Sequence, residues 1–160
     1  MAEAKLYLER TSLTAADLLN DKVLPFFDQY GIEVQHVLTD RGTECCGRVE
    51  THAYERFVHL ADIEHTRTKP RHPQTNGAAE KLNQTIEDEF YGVAFRKKLY
   101  KSLEEIQADL DQFIDFYNNE RTNQGRYCQG RTSIETLIDG LEMYRKYVFE
   151  NTIEGMETMR

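Results

Sequence analysis

Apolar positions recur along this chain with two periods, and the switches between them mark its elements. Residues 4–10 alternate polar and apolar side chains, which predicts a short strand. Leu18, Leu19, Val23, Phe26, Phe27 and Tyr30 recur at helical spacing and predict a helix over 15–30. Thr14 suits its N-cap, and Pro25 is expected to kink or break it by removing a backbone donor. Residues 33–39 (Glu-Val-Gln-His-Val-Leu-Thr) predict a second strand, closed by the turn signal Asp40-Arg41-Gly42. Val49, Ala53, Phe57 and Leu60 place one stripe on a helix over about 48–61, and a short strand follows at 64–68.

The segment from Lys69 to Thr75 holds prolines at 70 and 73, which excludes regular structure. Asn76-Gly77 then opens a long helix whose buried face is Ala79, Leu82, Ile86, Phe90 and Val93. Ser102 to Glu105 is a capping box that starts a second long helix, with Leu103, Ile106, Leu110, Phe113, Ile114 and Tyr117 inward. Thr132 to Glu135 is another, opening a final helix to about residue 148, with a frayed tail after it. Short strands alternating with helices predict an α/β fold.

Composition supports a folded chain. Hydrophobic residues are 39% of 160, with nine Tyr and eight Phe, enough for a core. No apolar run is long enough to span a bilayer, so no membrane partner is expected. The first ten residues lack the basic-then-apolar pattern of a secretion signal. Cys45 and Cys46 are adjacent and Cys128 is alone, which predicts reduced thiols and a cytoplasmic protein.

A net charge of −8 argues at first against nucleic acid. Its distribution changes that. Residues 102–160 carry a net −6, but residues 1–101 only −2. Within 65–81, Arg67, Lys69, Arg71 and Lys81 stand with His65 and His72 against the single acid Glu80. A locally basic loop can meet phosphate on an acidic chain, although a solvated charged loop has the same composition.

Two segments carry candidate chemistry. In Val37-Leu-Thr-Asp40-Arg-Gly-Thr-Glu44 an acid closes an apolar strand, where the sheet fixes the backbone and the loop opens to solvent. In His72-Pro-Gln-Thr-Asn-Gly-Ala-Ala-Glu80 an acid enters the first turn of a helix, behind a basic loop and among small residues. Each alone has an ordinary explanation: an Asp before Gly serves turns, and a first-turn Glu complements the helix dipole. Together, with 39 residues of helix, strand and loop between them, the two acids can return to one sheet edge.

These two segments, followed by Tyr117-Asn-Asn-Glu-Arg-Thr-Asn-Gln-Gly125, occur in an order that resembles the integrase core of insertion-sequence transposases and retroviral integrases. This is the DDE superfamily. The resemblance covers roughly residues 4–140. Asp40 and Gly42 match the signature at the family's second catalytic Asp; Pro73, Asn76, Gly77 and Glu80 match that at its catalytic Glu.

The resemblance implies an incomplete ribonuclease-H-like fold: a short mixed sheet flanked by helices, with long C-terminal helices. It implies an integrase-type core over 1–140, leaving 141–160 as helix end and tail. It implies DNA strand transfer with Mg²⁺ or Mn²⁺ held by Asp40 and Glu80, since hard oxygen ligands suit such ions. Lys69, Arg71, His72, Lys81 and Asn83 are the candidates for DNA contact, with Arg41 behind them. Two departures stand out. The interval between the acids is longer than in many members. The family's first Asp also has no match, since Asp17, Asp21 and Asp28 fall on a predicted helix or its end. The expectation is therefore weak metal binding and no strand transfer by this polypeptide alone. A sheet lacking its first strands exposes an edge, which predicts a homodimer or swapped assembly.

Rival readings are a non-catalytic DNA-binding or assembly fragment of a transposase, and a small nuclease with a rearranged site. Zinc fails on spacing: adjacent Cys45 and Cys46 lack the usual gap, and His52 and His59 lie about 10 Å apart along a helix. No tyrosine or serine has a recognisable activating base beside it. The block Tyr117 to Arg121 is also explained by a helix end whose carbonyls need partners.

Overall fold

The computed structural model describes residues 1–69 and 77–157. These form two compact units, one of residues 3–110 and one joining residues 1–2 to residues 111–160.

The first unit opens with α1 (Ser12–Leu18), a π-helical turn (Leu19–Val23) and α2 (Leu24–Asp28). Then come β1 (His36–Thr39), α3 (Ala53–Leu60) and β2 (Glu64–Arg67). After the loop follow α4 (Gly77–Thr85), a second π-helical turn (Ile86–Tyr91), α5 (Gly92–Lys97) and the start of α6 (Leu103–Asn119). The two strands are parallel, pairing His36 with Glu64 through to Thr39 with Arg67. Parallel strands need a crossover, and α3 supplies it. Ala16 and Leu19 from the first helix meet Tyr54 and Val58 of α3 and Ile63 in one buried cluster, with Val37 of β1 packed against it.

Several expectations for this unit need correction. The cap of the first helix is Thr11, not Thr14. Thr14 sits three residues on and returns the bond, its N–H reaching Thr11 Oγ1 at 3.2 Å and its Oγ1 taking the Thr11 N–H at 3.0 Å. Pro25 does not break the helix. The wider π turn precedes it, with Leu24 N–H bonding Leu19 C=O, so the helix makes room where proline would otherwise crowd the preceding turn. Gly31, at φ +67°, ends the helix: its N–H meets Asp28 C=O while Ile32 N–H reaches back to Phe27 C=O.

Residues 4–10 do not form a strand. A side-chain amide stands where a partner strand would be: Leu6 N–H donates to Gln107 Oε1 at 2.6 Å, and Gln107 Nε2 donates to Ala4 C=O at 3.4 Å. Lys5 bonds Asp17 and Asp21, both at 2.7 Å, and Tyr7 donates to Asp17 at 2.6 Å. The alternation marks which side chains anchor the segment, and not a sheet.

The helix foreseen at 48–61 starts only at Ala53, capped by His52, whose Nδ1 accepts from Glu55 N–H. Its buried face is Tyr54, Glu55 and Val58; Val49 and Leu60 are exposed. Asp62, at φ +56°, closes the helix as Gly31 closed the first, with Ile63 N–H on Val58 C=O at 2.9 Å. On the helix from Gly77, Ile86 and Phe90 are buried, as their spacing predicts, but Ala79 and Val93 are exposed. The Ser102 box forms only in half: Glu105 N–H meets Ser102 Oγ at 3.4 Å, but the Glu105 carboxylate reaches Lys101 N–H.

In the second unit, Ile114 of α6 and Leu141 of α7 (Ser133–Glu157) are buried. The Thr132 box is complete, with Thr132 N–H on Glu135 Oε2 at 2.8 Å and Glu135 N–H on Thr132 Oγ1 at 3.3 Å. The last helix runs nine residues past its expected end, to Glu157. Asn118, 5% exposed, binds both the N–H and the C=O of Ala2 at 2.8 Å. Within the block Tyr117 to Arg121, that amide satisfies residue 2 rather than the last carbonyls of its own helix. Among the described residues, no helix is long and apolar enough to cross a membrane.

Candidate active site

Val37 and Leu38 carry β1 to its C-terminal end, where the chain must turn, and Asp40 makes the turn. Its Oδ1 accepts the Gly42 N–H at 2.8 Å, a side-chain turn that costs no burial because Asp40 is exposed. The loop beyond is pinned at several points. Arg41 Nε donates to Thr68 C=O at 2.9 Å, Thr68 N–H donates to Thr39 C=O at 2.9 Å, and Cys46 Sγ donates to Asp40 C=O at 3.4 Å. Glu44 pairs with Arg10. A Cβ on Gly42 would come within 2.4 Å of the Glu44 carboxylate, so glycine there lets Glu44 fold back across the turn.

Beneath this exposed turn lies a buried polar network that the residue patterns did not single out. Glu55 is 6% exposed. Its Oε2 takes a hydrogen bond from His65 Nδ1 at 3.1 Å, and its Oε1 bonds the Arg67 guanidinium. The Gly47 N–H adds a longer bond of 3.5 Å to the same oxygen. The other imidazole nitrogen, Nε2, lies 2.8 Å from Thr39 Oγ1. His65 also meets the Tyr54 ring edge-on at 5.2 Å. Burial pushes the Glu55 carboxyl upward, but the hydrogen bonds from His65 and Arg67 outweigh it and hold the group below the usual carboxylate range. Glu55 in turn raises the Arg67 guanidinium above its ordinary value. One signal could have found the network: His65 and Arg67 are two apart on a strand and so share a face.

Burial, and then the charges of Glu44 and Asp40, push the Cys45 thiol up to about 11, which makes it a poor nucleophile. The three cysteines are free thiols.

Glu80 lies in the first turn of α4 and is exposed. Lys81 beside it is exposed, as is Lys69 after β2. Asn83, one turn further along α4, borders a cavity of 300 Å³ with Ala4, Leu6, Ile86 and Tyr91. Arg71 and His72, with Pro73 and Asn76 of the motif, lie outside the described residues. Among the described residues, no three Asp, Glu, His or Cys side chains gather as a metal site.

Residues 61–125 match the family model described as integrase core domain. The chain is 25% identical over 132 residues to the ORF3 protein of Spiroplasma virus SpV1-C74, provisionally named an integrase. That alignment takes in 78% of this chain, which spans 35% of the viral protein's length. In three dimensions the chain resembles the crystal structure of the catalytic core domain of BIV integrase, with a TM-score of 0.58 and 21% identity. That match covers 91% of this chain and 81% of the other. The fold is thus mixed α/β of the ribonuclease-H-like kind, built here on a short parallel pair of strands. Residues 61–125 thus match an integrase core segment, and the chain as a whole is similar to integrase-type cores in sequence and in fold.

Proposed function

We propose that this chain is the core of a DDE-type enzyme of DNA strand transfer, with residues 1–140 as the core proper and Asp40 and Glu80 as its metal-holding carboxylates. The observation that carries it is the position of Asp40. It follows directly on the carboxyl end of a parallel strand, where ligands of open α/β sheets bind, and Glu80 follows on α4 within the matched segment.

The donors fit a hard cation. Both carboxylates are exposed, and the bond from Gly42 N–H to Oδ1 leaves Asp40 further lone pairs. Mg²⁺ or Mn²⁺ held there would stabilise charge on the oxygens of a phosphodiester under attack. The protein's share is to hold the Asp40 carboxylate in place through the turn to Gly42 and to offer cations to the DNA backbone. Lys69, Lys81, Arg71, His72 and Arg41 are the proposed phosphate contacts, with Asn83 beside them.

The match supplies two acids within these 160 residues, and we infer weak metal binding and no strand transfer by this polypeptide alone. The same fact favours a second reading, a DNA-binding or assembly fragment that joins other transposase chains. The short parallel pair leaves strand edges for another copy, consistent with a homodimer or swapped assembly. Mn²⁺ titrated into ¹⁵N-labelled chain should broaden the amide signals of Asp40 and Glu80 together. Broadening at neither, or at only one, defeats the metal assignment. Robust strand transfer by the isolated chain would overturn the inference of inactivity, and a monomeric solution mass at micromolar concentration would remove the assembly.

A further inference from the structure

We propose that Glu55 is a positioning residue for Asp40, acting through His65 and Thr39. The proposal rests on the metal-holding reading of Asp40 given above.

Three separate pieces of chain must stay in register for Asp40 to present a fixed carboxylate: the end of β1, the end of β2 and the loop from Gly42 to Gly47. Glu55 is tied to all three. Its Oε2 orients His65, whose far nitrogen meets Thr39, the residue before Asp40, at 2.8 Å. Its Oε1 bonds Arg67, which pairs with Thr39 across the strands, and takes the Gly47 N–H that ends the loop. One carboxylate on α3 therefore clamps both strand ends and the turn between them.

The hydrogen-bond bookkeeping gives His65 a defined orientation. Ionised Glu55 can only accept, so Nδ1 carries a proton and donates to it. Nε2 is then left for Thr39 Oγ1, which also lies 3.0 Å from the Asp40 carbonyl. Thr39 has a single hydroxyl hydrogen for these two neighbours. The imidazole thus reaches Asp40 through Thr39, the residue before it, without touching its carboxylate. Fixing a ligand through its hydrogen-bonded support is how protein sites hold their geometry.

The test is amide hydrogen exchange on the folded full chain, comparing the unaltered protein with Glu55→Ala and Glu55→Gln. The reporters are Gly42 N–H, bonded to the Asp40 carboxylate, and Thr68 N–H, bonded to Thr39 C=O. The reference is Ile63 N–H, bonded to Val58 C=O beside the buried cluster. Positioning predicts that Glu55→Ala speeds exchange at Gly42 and Thr68 about ten-fold relative to Ile63, since local opening is separable from global unfolding. Glu55→Gln, which keeps the shape and one acceptor, should fall between. If Glu55→Ala does not fold, the isosteric variant carries the comparison. Exchange that rises equally at all three sites shows a stabiliser only and overturns the proposal, as does no change at Gly42 and Thr68. The ring ¹⁵N signals of His65 must also report a protonated Nδ1 in the unaltered chain; a bare Nδ1 is contrary to the clamp. Where the unaltered chain binds Mn²⁺ at Asp40, Glu55→Gln should weaken that binding several-fold, and unchanged affinity sinks the proposal. Absence of Mn²⁺ binding in the unaltered chain instead sinks the metal reading, and the exchange result stands apart from it.

Discussion

Glu55 and Asp40 are acids at the same end of the parallel strands, and they are built for opposite tasks. Glu55 is buried and has its oxygens shared among an imidazole, a guanidinium and a backbone N–H. Asp40 is exposed, and its carboxylate takes a bond from Gly42 N–H. A buried carboxylate is tolerated only when paired, so its partners consume it and it becomes a strut. An exposed one keeps lone pairs for a ligand. In the proposed site this distinction would separate the group that holds the geometry from those that bind, and Glu80 on α4 is exposed like Asp40.

The largest expected effect breaks the strut. Glu55→Ala should cost about 2–3 kcal/mol in urea unfolding, less than a fully buried pair because Arg67 is partly exposed to water. Asp40→Asn, by contrast, should cost about 0.5 kcal/mol or less, as for ordinary surface positions. Equal losses would erase the contrast between the two acids.

Acidity sharpens it. The folded Glu55 carboxyl lies below its unfolded value, so the network's contribution is fully present above the ordinary carboxylate range and is lost as pH falls through the folded value. Stability measured as a function of pH should fall below roughly pH 4.3, the ordinary Glu value, and Glu55→Gln should flatten that part of the slope. An unchanged slope in the variant would mean that Glu55 is not the group responsible.

A smaller gain is expected on the helix that carries Glu55. Asp62 closes α3 at φ +56°, a conformation glycine adopts without strain. Asp62→Gly should raise the unfolding midpoint, by about 0.5–1 kcal/mol in stability. No gain would show that the Asp side chain supports the turn. The smallest effect on folding belongs to the proposed DNA contacts. Lys81→Ala should leave stability unchanged while lowering the magnitude of the log–log salt slope of DNA binding by about 0.9 for the lost phosphate contact. A slope equal to that of the unaltered chain would return Lys81 to the solvated surface.

Much of this was legible in the residues. The periodicity located both strands within two or three residues, and the Thr132 box was correct in both of its bonds. The motifs led to the integrase-like core that the comparisons support. Other features were not legible, for definite reasons. Alternation over residues 4–10 is the mark of a strand only if a partner strand is present. Here Gln107, distant in sequence, supplies the bonds at Ala4 and Leu6. Pro25 breaks a regular helix, but a π turn changes the spacing that proline would violate. The stripe through Val49 and Leu60 assumed a helix beginning before His52; the helix starts at Ala53 and buries Tyr54 and Val58, with Phe57 of the stripe packed against the same cluster.

The sequence by itself determined the two paired strands, the Thr132 cap and the two acids of the motifs, because each is encoded by neighbours within a few residues. The tertiary structure alone decided that Glu55, His65, Arg67 and Thr39 meet under the turn at Asp40. That meeting depends on α3 crossing between two parallel strands and on burial that leaves a charged group no water. Neither condition is written in any local window of the chain.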